Sequence, residues 1–342
     1  MTGTEPASGA AHPRWRPAPL AGLRAVAPVL VLLVALLVAL AVVDPGFFDP
    51  ERLLAFLRRS APLVILAAGQ YLVIVSGGFD LSVGAVVSAG VVVAAELFNL
   101  APGLPWLVVV AVLLLGGLLV GVVNGIVSTV FAVPSFIATL GMMLVLQGAV
   151  FFWTQGAPRG YLPEDYRMLG RSAVPGAEWL PWAVVVLAVV GVAAVLFMRS
   201  DTGRTLVATG DNDVAAGLAG VRVARLRILA FALSGVAAAV AAILVGGFTG
   251  VSAQAGSGYE FQAITAVVLG GVALGGGRGS VVAAMAGAFS LQALFTLLTL
   301  LGVSGALESA VQGVIVITAV AVGGISWSRR ATRTHQPVRE SV

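Results

Sequence analysis

Charged residues are missing from long stretches of this chain, and that spacing constrains the fold more than any other feature. None occurs between Glu96 and Arg159, between Arg227 and Glu260, between Arg278 and Glu308, or between Glu308 and Arg329. A helix crosses a bilayer with about 20 apolar residues, so several of these gaps are long enough for one or two spans. The apolar residues in them are Ala, Val, Leu and Gly with no period-two alternation, which favours membrane helices over a β-barrel. Only 10% of the 342 residues are charged and the mean hydropathy is +1.04, whereas soluble domains carry about 25% charged residues. The expected fold class is an all-α polytopic membrane protein.

Residues 1–24, rich in Pro, Ala, Gly and Arg, read as a disordered tail. The apolar run Ala25–Val43 follows Arg14, Arg16 and Arg24. Its 19 residues exceed the roughly 7–15 of a signal-peptide core, so an uncleaved first span is expected. Further spans are expected near 61–76, 81–98, 105–129, 134–154, 180–198, 226–247, 261–276, 279–300 and 305–326, ten in all. The membrane domain is then 25–326, with 327–342 a second polar tail on the same side as the first. With both tails cytoplasmic, thirteen arginines fall inside and six outside, as the positive-inside rule requires. Arginine beside apolar spans reports this orientation rather than nucleic-acid binding. Residues 155–180 lie outside, where Trp179 and Trp182 suit the interfacial belt; residues 199–226 lie inside and carry four arginines.

The chain contains no lysine and no cysteine, and its histidines, His12 and His335, sit in the polar tails. Thiolate metal sites and disulfides are therefore excluded, and no metal site is expected. A P-loop holds the β- and γ-phosphates of ATP with a lysine. None can form here, so ATP hydrolysis in any ATP-driven process belongs to another polypeptide. The glycine-rich Gly275–Ser280 stretch reads as a tight turn.

Three groups of residues go beyond a generic membrane protein. The first is Ser76-Gly77-Gly78-Phe79-Asp80-Leu81-Ser82-Val83-Gly84. The second is Gly121-Val122-Val123-Asn124-Gly125 with Val133-Pro134-Ser135-Phe136-Ile137-Ala138-Thr139-Leu140-Gly141. The third joins Thr202-Gly203-Arg204 to Gly210-Asp211-Asn212-Asp213 and to Val214-Ala215-Ala216-Gly217-Leu218-Ala219-Gly220-Val221. It is followed by Gly258-Tyr259-Glu260, by Val268-Leu269-Gly270-Gly271 and by Gly275-Gly276-Gly277-Arg278-Gly279-Ser280. Gly77, Gly78, Asp80 and Ser82 form a structural motif in which Asp80 is either a buried functional acid or the N-cap of the next helix. Gly117, Gly121 and Gly125 share one helix face and admit a close neighbour. Paired glycines also give Leu72–Gly84 a weak echo in Ala266–Arg278.

Together these motifs resemble the permease subunits of ribose-, xylose- and arabinose-type (simple-sugar) ABC importers, over roughly residues 45–325. Phe79 stands where isoleucine is commoner, and Ala273 and Gly275 replace more typical residues. The resemblance implies a type II-like permease architecture, a dimer with a second copy or a paralogue, and a periplasmic or lipid-anchored solute-binding protein. It also implies a cytoplasmic ABC ATPase subunit that carries ATP and Mg, leaving this chain without a cofactor or enzyme activity of its own. The implied role is import of a monosaccharide or related small polar solute across a bacterial inner membrane. Nucleoside or autoinducer-type sugar import, and ion-coupled secondary transport, are the alternatives.

Candidate residues follow from chemistry and from this resemblance. Asp211 or Asn212 can N-cap a short helix, Asp213 suits its dipole, and Gly220 can end it. The small apolar body, including Ala215 and Ala216, asks for a partner groove, and the resemblance makes it the ATPase-coupling helix. Gln70, Asn124 and Gln147 are amides inside apolar spans, able either to bind sugar hydroxyls or to bond neighbouring helices. With Phe136 they are candidates for the translocation path. Tyr259 and Glu260, expected at an outer helix start, either dock the binding protein or favour the helix N-terminus.

Overall fold

The computed structural model describes residues 19–318, apart from 158, 304, 306, 309 and 316. The expected tails 1–24 and 327–342 lie largely outside that range, although helix α1 (Pro19–Val43) begins within the first of them. Among the described residues, eight helices are long and apolar enough to cross a bilayer: α1, α2 (Pro50–Val75), α3 (Val83–Leu100), α4 (Trp106–Thr129), α5 (Ser135–Thr154), α7 (Trp182–Arg199), α10 (Val223–Thr249) and α12 (Val281–Leu300).

Two expected spans change character. The one expected at 61–76 belongs to α2, whose first turns carry Glu51, Arg52, Arg58 and Arg59 and so escape a hydropathy reading. The one expected at 261–276 is the short α11 (Tyr259–Leu269), whose 11 residues reach about 16 Å at about 1.5 Å each. Such a helix cannot cross an apolar layer of about 30 Å. It stops at Gly270-Gly271, where Gly271 takes a φ of +76°. The expected tenth span, 305–326, runs past the described residues.

Between α5 and α7 stand a short helix, α6 (Glu164–Arg171), and a hairpin of β1 (Ala173–Val174) and β2 (Ala177–Pro181). Gly176, at a φ of +81° after Pro175, makes the hairpin turn. Tyr166 of α6 is fully buried and meets Phe98 edge-on, with ring centroids 5.6 Å apart. The segment 199–226 folds into α8 (Asp201–Asp211) and α9 (Asp213–Leu218).

Helix α2 is the axis of the bundle. Every residue from Ser60 to Ser76 is buried, under α7, α10, α11 and α12. By contrast α1, α4, α5 and α7 turn large apolar side chains outward, among them Val31, Leu115, Leu144 and Val192. Such an outer surface suits lipid, not water.

Helices α4 and α10 pack antiparallel with their backbones nearly touching. Gly117 lies against Gly235, Gly121 against the Phe231 carbonyl, and Gly125 against Ile228, where an added Cβ would come within 2.7 Å of the Ile228 Cα. The one-faced glycine spacing in α4 is thus a packing seam. Gly116, one residue away, has nothing within 4 Å of a Cβ position. Gly117→Leu is therefore expected to destabilise the detergent-solubilised protein by about 1–3 kcal/mol or more, while Gly116→Leu leaves its thermal midpoint near that of the parent. Equal midpoints for both variants would contradict the seam.

Candidate functional site

Helix α2 ends with two successive glycines. The Gly77 N–H donates to the Ile74 carbonyl at 2.9 Å and the Gly78 N–H to the Val73 carbonyl at 3.0 Å, with Gly77 at a φ of +90°. Such a Schellman closure needs the left-handed residue that glycine supplies. Helix α11 closes the same way, Gly271 donating to Val268 and Val272 to Val267. The echo between Leu72–Gly84 and Ala266–Arg278 is therefore a repeated helix end.

After α2 the chain turns back into the bundle before α3 begins. The Ser76 carbonyl accepts from the Arg227 Nε at 3.2 Å, and the Asp80 carboxylate from the Ser234 hydroxyl at 2.9 Å. Those two partners are seven residues, about 10 Å, apart along α10. Residues 76–82 thus carry non-helical backbone deep inside an apolar bundle, where each unmet polar group costs several kcal/mol.

The motif residues meet that cost. The Phe79 N–H donates to the Ser135 Oγ at 3.0 Å, and the Leu81 N–H to the Thr139 Oγ1 at 3.0 Å. Gln70, turned so that donors face acceptors, gives its amide NH2 to the Asp80 carbonyl at 3.1 Å and accepts the Asp80 N–H at 3.3 Å. The Asp80 Oδ1 accepts from the Ser82 N–H and from the Ser82 Oγ, at 3.0 and 2.6 Å. Asn124 closes the network by donating to the Ser82 Oγ at 2.9 Å. Ser76, like Gly77 and Gly78, donates its N–H back into α2. No backbone N–H from 76 to 82 is left without an acceptor.

This placement decides between the alternatives left open for Asp80 and Glu260, with Glu260 in the first turn of α11 bonded to its N-cap residue. Asp80 does not cap α3: Ser82 occupies the N-cap position, and Asp80 bonds Ser82 and Ser234 instead. Glu260 is buried rather than presented at an outer surface. Its Oε1 accepts the Gly258 N–H at 3.2 Å and its Oε2 lies against Gly84, while Tyr259 packs into the core beside it. The starts of α3 and α11 meet there, Gly256 donating its N–H to the Ser88 Oγ at 3.0 Å.

Among the path candidates, Gln70 and Asn124 are brought together at the re-entrant segment and fully buried. Phe136 and Gln147 stand apart from them, exposed on α5. Eleven positions, close to three turns, put these two on one flank of that helix. Ser135, Thr139, Ser234 and Arg227 were absent from the candidates. Ser135 and Thr139 carry a legible signal, hydroxyls four apart on one helix face. Ser234 is the single hydroxyl in α10 before Thr249.

A cleft of about 500 Å³ opens beside the α2 end. Ser76, Gly77 and Gly78 line one wall, Ser128, Thr129 and the 132–135 connection another, and Val223, Ala224, Arg227 and Phe231 of α10 the third.

Helix α9 lies at the same end of the bundle. The Asn212 Oδ1 accepts the Ala215 N–H at 2.9 Å, so Asn212, not Asp211, is the N-cap. Gly220, at a φ of +85°, closes the helix with its N–H on the Gly217 carbonyl. Ala215 is exposed but Ala216 is buried. The outward apolar pair is Val214, 69% exposed, and Leu218, 87% exposed. Asp213 pairs with Arg227 at 3.1 Å, and Asp211 sits 3.8 Å from Arg278. The Gly277 N–H donates to the Val75 carbonyl at 2.9 Å, so the second glycine turn also braces the α2 end.

Comparison with known proteins agrees with this geometry. The family model described as branched-chain amino acid transport system / permease component matches residues 52–320. The chain belongs to this permease family. It is 36% identical to the ribose import permease protein RbsC of Escherichia coli (strain K12) over 297 residues, covering 85% of this chain and 92% of the relative. It is 35% identical to the autoinducer 2 import system permease protein LsrC of Escherichia coli (strain K12 / DH10B) over 295 residues, covering 84% and 85%. No solved structure matches the chain. The resemblance carried by the motifs is thus to the same group of permeases, and the chain is a membrane-spanning transport subunit.

Thr139→Val removes the acceptor of a buried N–H while keeping side-chain volume, and should cost about 1–3 kcal/mol. Thr139→Ser should restore most of it. Thermal unfolding in detergent checks this pair, and a Val variant as stable as the parent would refute the role given to Thr139.

Proposed function

We propose that this chain is the permease subunit of an ATP-driven sugar importer in a bacterial inner membrane, with α9 as the helix through which a separate ATPase acts. The observation that carries the reading is a capped helix that presents Val214 and Leu218 outward. Asp213 ties it to Arg227 of α10, which also bonds the α2 end, and Asp211 at the end of α8 sits near Arg278 in the glycine-rich turn before α12. An exposed apolar pair on a well-terminated polar-side helix fits a partner groove, and the pair extends the earlier candidates Asp211, Asn212, Asp213, Ala215, Ala216 and Gly220. ATP and Mg belong to that partner, and α9 with both termini faces the cytoplasm.

The two relatives are named for ribose and autoinducer 2 import, and the proposed substrate class is their common ground, a small polyhydroxylated solute delivered by a solute-binding protein. Differential binding of ATP to two conformations of the complex would drive alternating access. A second copy or paralogue would complete the path, and the exposed flank of α5 with Phe136 and Gln147 is the surface proposed to line it. Gln70 and Asn124 are better placed to hold the re-entrant segment than to touch solute. Ion-coupled transport is less well supported, because Asp80 and Glu260 are each engaged with neighbouring hydroxyl or backbone donors.

Co-expression with its ATPase subunit tests the reading. Leu218→Glu places a charge in the proposed groove and should weaken capture of the ATPase by about tenfold or more while leaving membrane insertion intact. Ala216→Glu is less informative because Ala216 packs against the chain itself. Undiminished capture by the Leu218 variant would overturn the assignment of α9.

A further inference from the structure

Arg227 touches three things that the sequence keeps far apart. Its Nη2 pairs with the Asp213 Oδ2 at 3.1 Å, at the start of α9. Its Nε donates to the Ser76 carbonyl at 3.2 Å, at the last turn of α2. It also lines the cleft and lies against Gly77, where an added Cβ would be 3.7 Å from Nη2. The planar guanidinium makes both polar contacts at once; an ammonium is a single point charge and cannot reproduce that fork.

The Ser76 carbonyl is one of the acceptors left over when α2 ends. Arg227 satisfies it with a charged donor, and the same donor is held by the carboxylate of α9. Any displacement of α9 that moves Asp213 therefore pulls on the group that fixes the α2 end and one wall of the cleft. The second ion pair at this end, Asp211 with Arg278, is longer at 3.8 Å and more exposed, so it transmits less. A contiguous contact of this kind can carry coupling between sites where the elements it joins have two arrangements.

We propose that Arg227 is the positioning residue that relays movement of α9 to the Ser76-Gly77-Gly78 turn and so to the cleft. This rests on the reading of α9 as the ATPase-coupling helix. Removing the link leaves α9 able to hold its partner through Val214 and Leu218 but disconnects it from the transport path.

The test uses the full transporter, with its ATPase and binding protein, in lipid vesicles. Arg227→Gln should lower solute moved per ATP hydrolysed by about tenfold. Asp213→Asn should lower it less, because the Ser76 contact survives. The double variant should be no worse than Arg227→Gln alone, since both changes cut one link. A second readout uses the absence of cysteine from the chain: Thr129→Cys places a single thiol in the cleft wall. Its maleimide labelling rate should differ between nucleotide-free and ATP-trapped transporter, and Arg227→Gln should abolish that difference. If Arg227→Gln fails to assemble, Arg227→Lys keeps the cation without the fork, and an intermediate transport ratio is expected.

A parent-like transport ratio and labelling difference in both Arg227 variants would overturn the relay. So would additive losses in the double variant. Leu218→Glu separates the two ideas. If it still captures the ATPase, α9 is not the coupling helix and the relay falls with it. If it loses the ATPase while Arg227→Gln behaves as the parent, only the relay falls.

Discussion

The structure depends on keeping seven residues of non-helical backbone inside an apolar bundle. Between Ser76 and Ser82 the chain leaves α2, turns on two glycines and re-enters before α3 starts. Beyond the cleft wall at Ser76–Gly78 the segment is shut away from water, so side chains satisfy its N–H and C=O groups. Gln70, Ser135, Thr139, Asp80 and Arg227 supply those partners from three helices, α2, α5 and α10, and from the segment itself. Apart from the Asp80–Ser82 bonds, each spans two elements, so with Asn124 the network fixes how α2, α4, α5 and α10 meet as well as where the loop lies. The glycine seam between α4 and α10 serves the same end, because only close backbones let Asn124 and Ser234 reach the same small cluster.

That constraint explains what the sequence disclosed and what it hid. Membrane residence and the all-helical class follow from charge spacing, and the glycine face of α4 followed from its four-residue period. The special character of residues 76–84 was visible as a motif, but its partners were not. Ser135 and Thr139 stand out only as hydroxyls four apart near a helix start, and only the fold brings them against Phe79 and Leu81. Asp80 was legible as a buried acid, but its choice of Ser82 and Ser234 over a helix cap depends on α10 lying alongside. The first half of α2 and the shortness of α11 escaped a hydropathy reading for opposite reasons. One is a helix that begins polar, and the other an apolar run broken by Gly270-Gly271. Glu260 falls at an outer helix start when the expected spans alternate across the membrane, yet the loop before it folds inward at Gly256.

At the end that carries α8 and α9 the same economy of contacts recurs. The glycine turns after α2 and α11 lean on one another, with Gly276 against Gly77 and Gly277 bonded to Val75. Asp211, through Arg278, and Asp213, through Arg227, connect these turns to a short helix whose Val214 and Leu218 point away from the bundle. Capping by Asn212 and closure at Gly220 keep six residues helical without help from neighbours on most sides. A rigid handle bonded to the end of the central helix suits a chain that has no lysine with which to bind ATP itself.

In the proposed transporter, energy comes from a separate ATPase rather than from an ion gradient. Solute uptake into vesicles holding this chain, its ATPase and its binding protein measures this directly. Uptake should require hydrolysable ATP on the ATPase side and persist when a protonophore and a sodium ionophore dissipate ion gradients. Uptake that proceeds without ATP and collapses with the ionophores would contradict the account.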